Sequence, residues 1–262
     1  MHQFFVTPEA INGDMIAITG AEAHHLLKVL RLGIGDRVTV ADGEGQRFAA
    51  VLETIAPDDA YARIETTLPT GEPPVEIILL QGIPKSDKME LIIQKNTELG
   101  IGKIIPVEME RSVVRLKENK AAKRAQRWQR IALEAAKQCG RSRVPQIAAP
   151  CTLTEALMQL PHGCSLTVPW EEETGHSLGH WLAELKSTAR VAYIIGPEGG
   201  LTTGEVDLAR RHGAVPVTLG QRILRTETAA MAVLAVIMHR LGDLGGQAGG
   251  KEGSSLCVRV QS

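Results

Sequence analysis

Residues 191–205 read VAYIIGPEGGLTTGE. An apolar run, Val191–Ile195, ends in a turn containing Gly196, Gly199 and Gly200. Thr202 and Glu205 then have the S/T-x-x-E spacing of a capping box that opens a helix. A buried strand, a glycine-rich turn and a helix in that order are a unit of an α/β sheet. Glycines let backbone approach a ligand closely, and open α/β sheets bind small molecules at the C-terminal ends of their strands. The turn is no P-loop, because no Gly-Lys-Ser/Thr follows it, and its glycines do not fit GxGxxG. By itself it is equally compatible with a tight turn that holds nothing.

The same design recurs a few residues on. Val215–Leu219 reads as a strand, Gly220-Gln-Arg-Ile-Leu-Arg225 as a loop, and Thr226 as the cap of a helix reaching Leu241. Ile223 and Leu224, set between Arg222 and Arg225, can sandwich a flat ring while the guanidiniums face an anion. The alternative is that the two apolar residues cap the core and the arginines are solvated. Further upstream, strands at Val75–Gln81, Lys103–Val107 and Ser165–Val168 alternate with helices. One is expected from a Ser86 cap to Leu99, stopped by Gly100, one over about Glu118–Cys139, stopped by Gly140, and one over Thr203–His212. Strands alternating with helices predict a mostly parallel sheet covered on both faces.

Residues before this pattern read differently. Ala21–Arg31 is a short helix broken by Gly33 and Gly35. Arg37–Ala41 and Gln46–Ile55 flank the hairpin signal Asp42-Gly43-Glu44-Gly45, and Tyr61–Thr66 adds a further strand. Three prolines and a glycine in Leu68–Pro74 read as a linker. The expected division is a β domain over 1–67, an α/β domain over 75–241 and a flexible glycine-rich tail over 242–262.

The 262 residues are 44% hydrophobic and 23% charged, enough for a core without staples. The opening MHQFFVTPEA lacks a secretory signal, and the longest apolar run, the ten residues Ala229–Met238, is about half a membrane span. The four cysteines form no CxxC pair, which predicts reduced thiols and a cytoplasmic protein with no metal. His176 and His180 at i, i+4 read as a helix face rather than zinc ligands. The net charge of −1 conceals an imbalance: Arg115–Arg143 holds ten basic residues against Glu118 and Glu134, leaving that stretch at +8. Such a block suits a polyanion, against the plainer reading of a solvated helix face. Only eight residues are Phe, Trp or Tyr, which argues against base-stacking folds.

The segments IGPEGGLTTGEV and LGQRILRTETAA, preceded by GIPKSDKMELIIQKNTELGI and ALEAAKQCGRSRVPQI, resemble the RsmE family of SPOUT methyltransferases. The N-terminal HHLLKVLRLGIGD is similar to it as well, so the likeness spans about residues 1–241. The resemblance implies an S-adenosylmethionine-dependent enzyme that methylates N3 of one uridine in the decoding region of 16S ribosomal RNA. It also implies a PUA-like β-barrel at the N-terminus and a homodimeric α/β domain whose SPOUT-type parallel sheet carries a C-terminal trefoil knot. Carried over residue by residue, the cofactor pocket would take Thr167, Val168, Gly196, Gly199, Gly200, Leu219, Gly220, Ile223 and Leu224.

Removing the proton of uracil N3 calls for help in proton transfer or in holding the resulting anion. Arg222 and Arg225 are placed for the anion, and Glu198 or Glu227 for accepting a proton or orienting an arginine. Helix-terminus or ion-pair roles fit both glutamates equally. Arg31, Lys123, Arg127, Arg130 and Arg141 are the candidate RNA contacts, in the small ribosomal subunit. The competing readings are a non-catalytic RNA-binding protein with this fold and a SPOUT enzyme that methylates ribose 2′-hydroxyls.

Overall fold

Strand β7 (Glu76–Gly82) turns its apolar side chains alternately to two sides. Ile77 and Leu79 enter one buried cluster, and Ile78 and Leu80 enter another. Strand β12 (Arg190–Ile195) does the same, with Val191, Tyr193 and Ile195 on the first side and Ala192 and Ile194 on the second. A period of two with both faces apolar is what a sheet buried between helix layers requires. The structure, a computed structural model, describes residues 2–113, 118–185 and 190–245.

The sheet has seven strands. The others are β8 (Lys103–Glu108), β9 (Gln146–Ile147), β10 (Cys151–Thr152), β11 (Ser165–Pro169) and β13 (Val215–Val217). The order is β10-β8-β7-β12-β11-β13, with β9 also on β8, and every pairing is parallel. Helices α2 (Lys88–Glu98), α3 (Glu118–Cys139), α5 (Leu178–Glu184) and α7 (Thr226–Leu241) supply the first cluster, through Met89, Ile92, Trp128, Trp181 and Val233 among others. Helices α4 (Leu153–Met158) and α6 (Thr203–Arg211) cover the opposite face with Leu157 and Val206. Both α4 and α6 open with a complete capping box, Thr152 with Glu155 and Thr202 with Glu205.

A second, curled sheet precedes it. Its strands are β1 (Gln3–Phe5), β2 (Ile11–Asn12), β3 (Met15–Ile18), β4 (Arg37–Ala41), β5 (Arg47–Ile55) and β6 (Ala60–Leu68), in the order β1-β4-β5-β6-β3-β2. Phe48, Ala50 and Leu52 alternate inward from β5, and register shifts at Ala49/Ala50 and Leu52/Thr54 bend the long hairpin around Phe4, Ile16 and Leu26. The turn into β5 is held by Asp42, whose Oδ1 accepts from the amides of Glu44, Gly45 and Gln46 at 2.8–2.9 Å. Helix α1 (Gly20–His24) runs on as a wider π-type turn over His25–Val29.

Several local expectations change. Ser86 does not cap α2: it sits at φ +55°, and Asp87 precedes the helix without a side-chain cap. Thr226 is the first residue inside α7 rather than its cap, because its hydroxyl is taken by Gly196 and Gln81. Strand β13 ends at Val217, since Thr218 pairs instead with the His176–Ser177 segment. His176 precedes α5 and faces Glu184 at 3.3 Å, so it and His180 do not share a helix face. The tail beyond residue 245, and Arg115 and Lys117 of the basic stretch, lie outside the described residues. Among the described residues no helix is long and apolar enough to cross a membrane, and no three His, Cys, Asp or Glu gather as metal ligands.

Candidate active site

The C-terminal ends of β11, β12 and β13 lie side by side, and the loops that leave them enclose a cavity of about 480 Å³. The β12 loop is shaped by close packing. A Cβ on Gly82 would fall 2.6 Å from Pro197, and one on Gly196 3.0 Å from the carbonyl carbon of Gly200, so neither position has room for a side chain. Gly200 closes the turn at φ +72°, its amide bonded to the Pro197 carbonyl at 2.9 Å. Arg111 spans the turn from outside, donating to the carbonyls of Gly199 at 2.9 Å and Leu201 at 3.3 Å.

Gly196, Gly200, Leu219, Gly220, Ile223 and Leu224 line this cavity, together with Glu198, Arg222 and Arg225. Three expected cofactor residues do not. Thr167 and Val168 are fully buried below the cavity floor, Thr167 donating its hydroxyl to the carbonyl of Val215 at 2.8 Å. The wall at that strand end comes from the next residues, Pro169, Trp170 and Glu171. Gly199 turns away as well: a Cβ there would meet Arg111 Cβ at 2.9 Å. Its small size serves the packing of the turn against Arg111.

Charge is concentrated on one side. Lys88 Nζ lies 3.3 Å from Glu198 and 3.4 Å from Glu227. Burial raises the pKa of Glu198, but its own amide, the amide of Lys85 and the Lys88 ammonium outweigh this and hold the carboxyl below its usual range. Among the described residues Arg222 and Arg225 form no ion pair, and both are exposed. Ile223 between them is 90% exposed. Opposite, Arg210 lies 5.4 Å from the Trp170 ring centre, and the buried Trp170 Nε1–H has no acceptor.

Lys88 and Trp170 are functional candidates that sequence reasoning did not find. In the sequence Lys88 reads only as part of a helix opened by a Ser86 cap, a role that Ser86 does not take. Nothing in the run VPWEEE distinguishes Trp170 from a core aromatic; its exposure to the cavity comes from strand packing.

The candidate RNA residues divide. Arg31, at φ +54°, and Lys123, Arg127 and Arg130 are exposed; Arg127 pairs with Glu90 at 2.7 Å, and Arg130 borders a groove between α2 and α3. Arg141 is only 6% exposed, so it is no RNA contact. Its guanidinium is consumed by Glu72 at 2.6 Å and by the carbonyls of Ile101 and Thr97 at 2.6 and 3.2 Å.

A family model described as an RNA methyltransferase domain matches residues 71–238, and one described as an RNA methyltransferase PUA domain matches residues 18–65. The chain is 35% identical over 248 residues to Ribosomal RNA small subunit methyltransferase E of Bacillus subtilis (strain 168), covering 92% of this chain and 97% of that protein. The protein of the same name from Synechocystis sp. is 35% identical over 237 residues, covering 90% of this chain and 77% of that protein. Among solved structures, the chain is similar to Ribosomal RNA small subunit methyltransferase E from Neisseria gonorrhoeae bound to S-adenosyl methionine. The TM-score is 0.82 at 33% identity, covering 93% of this chain and 99% of that one.

Proposed function

This chain belongs to the ribosomal RNA small subunit methyltransferase E family, and on that premise we propose that it methylates N3 of one uridine in 16S ribosomal RNA, using S-adenosylmethionine. The observation that carries the reading is the convergence of three strand-end loops on one cavity bordered by two arginines without carboxylate partners.

The cavity fits the cofactor. Its volume of about 480 Å³ lies within the range of small-molecule sites, and Ile195, Leu219, Leu224 and Ala229 offer apolar contact for an adenine. The unpartnered Trp170 N–H is a donor in need of an acceptor, and Glu171 and Glu198 supply negative charge to a cationic ligand. S-adenosylmethionine, when bound, supplies an electrophilic methyl group. The protein's part is to align uracil N3 with it and to hold the charge that develops as the N3 proton leaves. Arg222 and Arg225 take the second task, because neither is neutralised by a carboxylate. Glu198, already ionised and weakly basic, serves to hold Lys88 and the Lys85 amide at the cavity edge. Thr167, Val168 and Gly199 support the loops from behind.

Arg31, Lys123, Arg127 and Arg130 are the RNA contacts in this reading. The Arg127–Glu90 pair is exposed, and such a pair is weak enough to be exchanged for a phosphate. The active form is a cytoplasmic homodimer whose C-terminal segment is knotted as in the family. A second groove of about 490 Å³, lined by Leu178, Leu224, Ala232 and Val236 beside the exposed Ile223, favours a second copy against α7. The domains are an N-terminal RNA-binding unit over 1–67 and the methyltransferase unit over 75–241.

The test is methyl transfer from labelled S-adenosylmethionine to purified small subunits and to naked 16S RNA. A single labelled uridine, better methylated in the assembled subunit, is expected. Cofactor binding without transfer to either substrate would favour the non-catalytic reading.

A further inference from the structure

The stretch from Leu68 to Pro74 has the composition of a loose linker, yet its Glu72 is one of the most heavily bonded side chains in the protein. Glu72 Oε1 accepts from the amides of Ser142 and Arg143, each at 2.9 Å, and Oε2 from Arg141 Nη2 at 2.6 Å. The two side chains are 10% and 7% exposed. The remaining nitrogen of the Arg141 fork is spent on the carbonyls of Thr97 and Ile101 at the end of α2, so the pair ties the linker to the α/β core.

The N-terminal sheet is fastened to the same place. Gln3 Nε2 donates to the Arg141 carbonyl at 2.6 Å, Arg143 Nε donates to the Glu44 carbonyl at 2.7 Å, and Lys137 Nζ meets Glu22 Oε1 at 2.5 Å. Arg47 of β5 lies over Gly71 of the linker and Gly140 at the end of α3, where added Cβ atoms would stand 3.2 and 3.8 Å from its guanidinium. Three of the ten basic residues that suggested a polyanion face therefore point into an inter-domain joint.

A buried ion pair is a poor source of stability, because desolvation offsets most of its attraction. What it supplies is geometry: a planar fork between one carboxylate and two fixed carbonyls admits one arrangement. We propose that Glu72 and Arg141 are positioning residues for methyl transfer, locking the N-terminal domain at one angle to the catalytic cavity so that RNA gripped by the first is presented to the second. This rests on the methyltransferase reading above. A flexible seven-residue connection would let the two RNA-contacting units search independently, whereas the locked joint removes that ordering cost from substrate binding.

The test uses the full chain with the paired substitution Glu72→Leu/Arg141→Met, which removes both charges without stranding either. Small-angle scattering should show a broader distribution of inter-domain distances. KM for small subunits should rise about tenfold, because a freely hinged second module presents a lower effective concentration than one held in place. At saturating subunits kcat, and the Kd for S-adenosylmethionine, should stay within about twofold. If the double variant does not fold, Arg143→Ala removes the exposed Glu44 clamp and should shift scattering and KM the same way by less. Unchanged scattering would show that the pair is no lock, and looser domains with an unchanged KM would show that the lock does not position RNA. A wild-type protein that methylates no subunit overturns the methyltransferase reading, while scattering still decides whether the pair is a lock.

Discussion

Thr226 donates its hydroxyl proton to the Gly196 carbonyl at 2.7 Å and accepts from the buried amide of Gln81 at 2.9 Å. One hydroxyl thus joins the ends of β7 and β12 to the first turn of α7. The loop containing Arg222 and Arg225 enters α7 through this residue, so the bond sets where both arginines stand relative to the glycine turn.

Thr226→Val keeps the shape and deletes the bonds. The Gly196 carbonyl loses this donor and the Gln81 amide keeps only its bond to the Gly82 carbonyl, a loss of about 1–3 kcal/mol, read as a lower denaturation midpoint. Cofactor affinity should fall with it, and Thr226→Ser should restore both. A stable Thr226→Val protein with wild-type cofactor affinity would remove this bond from the account.

Gly199→Ala places a methyl 2.9 Å from Arg111 Cβ. Overpacking of this kind costs about 1–3 kcal/mol, and calorimetric titration should show weaker cofactor binding as the turn shifts. Arg111→Ala retains the colliding Cβ and should not relieve the defect, whereas Arg111→Gly should relieve part of it. Equal loss in both double variants would place the conflict elsewhere.

The basic residues of α3 and Arg141, which lies just beyond its end, should fall into two groups. Replacing Lys123, Arg127 and Arg130 with Ala should weaken subunit binding and flatten its salt dependence, with stability unchanged. Arg141→Ala should instead destabilise the fold by about 3–5 kcal/mol, because it strands the buried Glu72 carboxylate. A reduced salt slope in a fully stable Arg141→Ala protein would reverse this assignment.

Glu198 is held below the usual carboxylate range, with a consequence for pH. A depressed folded pKa contributes stability above the unfolded value, about 4.3 for a glutamate, and loses it as pH falls through the folded value. Its Lys88 contact should therefore persist from neutral pH to below that figure. Carboxyl NMR titration checks this; a midpoint at or above the ordinary value would return Glu198 to candidacy as a proton acceptor.

Val236→Glu puts a charge on the exposed side of α7, in the groove assigned to a second copy. Light scattering should show a shift from dimer to monomer. An unaffected dimer would place the interface on another face.

The apolar runs within Val75–Gln81 and Val191–Ile195 made the parallel sheet legible, because strands buried on both faces carry near-continuous apolar residues. The glycine turn and the Leu219–Arg225 loop were legible for a related reason: glycines and exposed apolar residues at strand ends are local signals. Contacts between segments distant in sequence were not. The Trp170 wall exists because β11 lies between β12 and β13, and the burial of Arg141 exists because Glu72 is folded against it from 69 residues away. Side-chain type alone cannot separate an arginine that meets phosphate from one that meets a buried carboxylate. The same limit made Gly199 look like cofactor space when its neighbour is Arg111.

The most direct measurement of the central claim is mass spectrometry of 16S ribosomal RNA from cells with and without this gene. Deletion should remove N3-methyluridine at one position, and the wild-type gene should restore it while Arg225→Ala does not. Persistence of that nucleotide in the deletion, or loss of a 2′-O-methyl nucleotide in its place, would contradict the account.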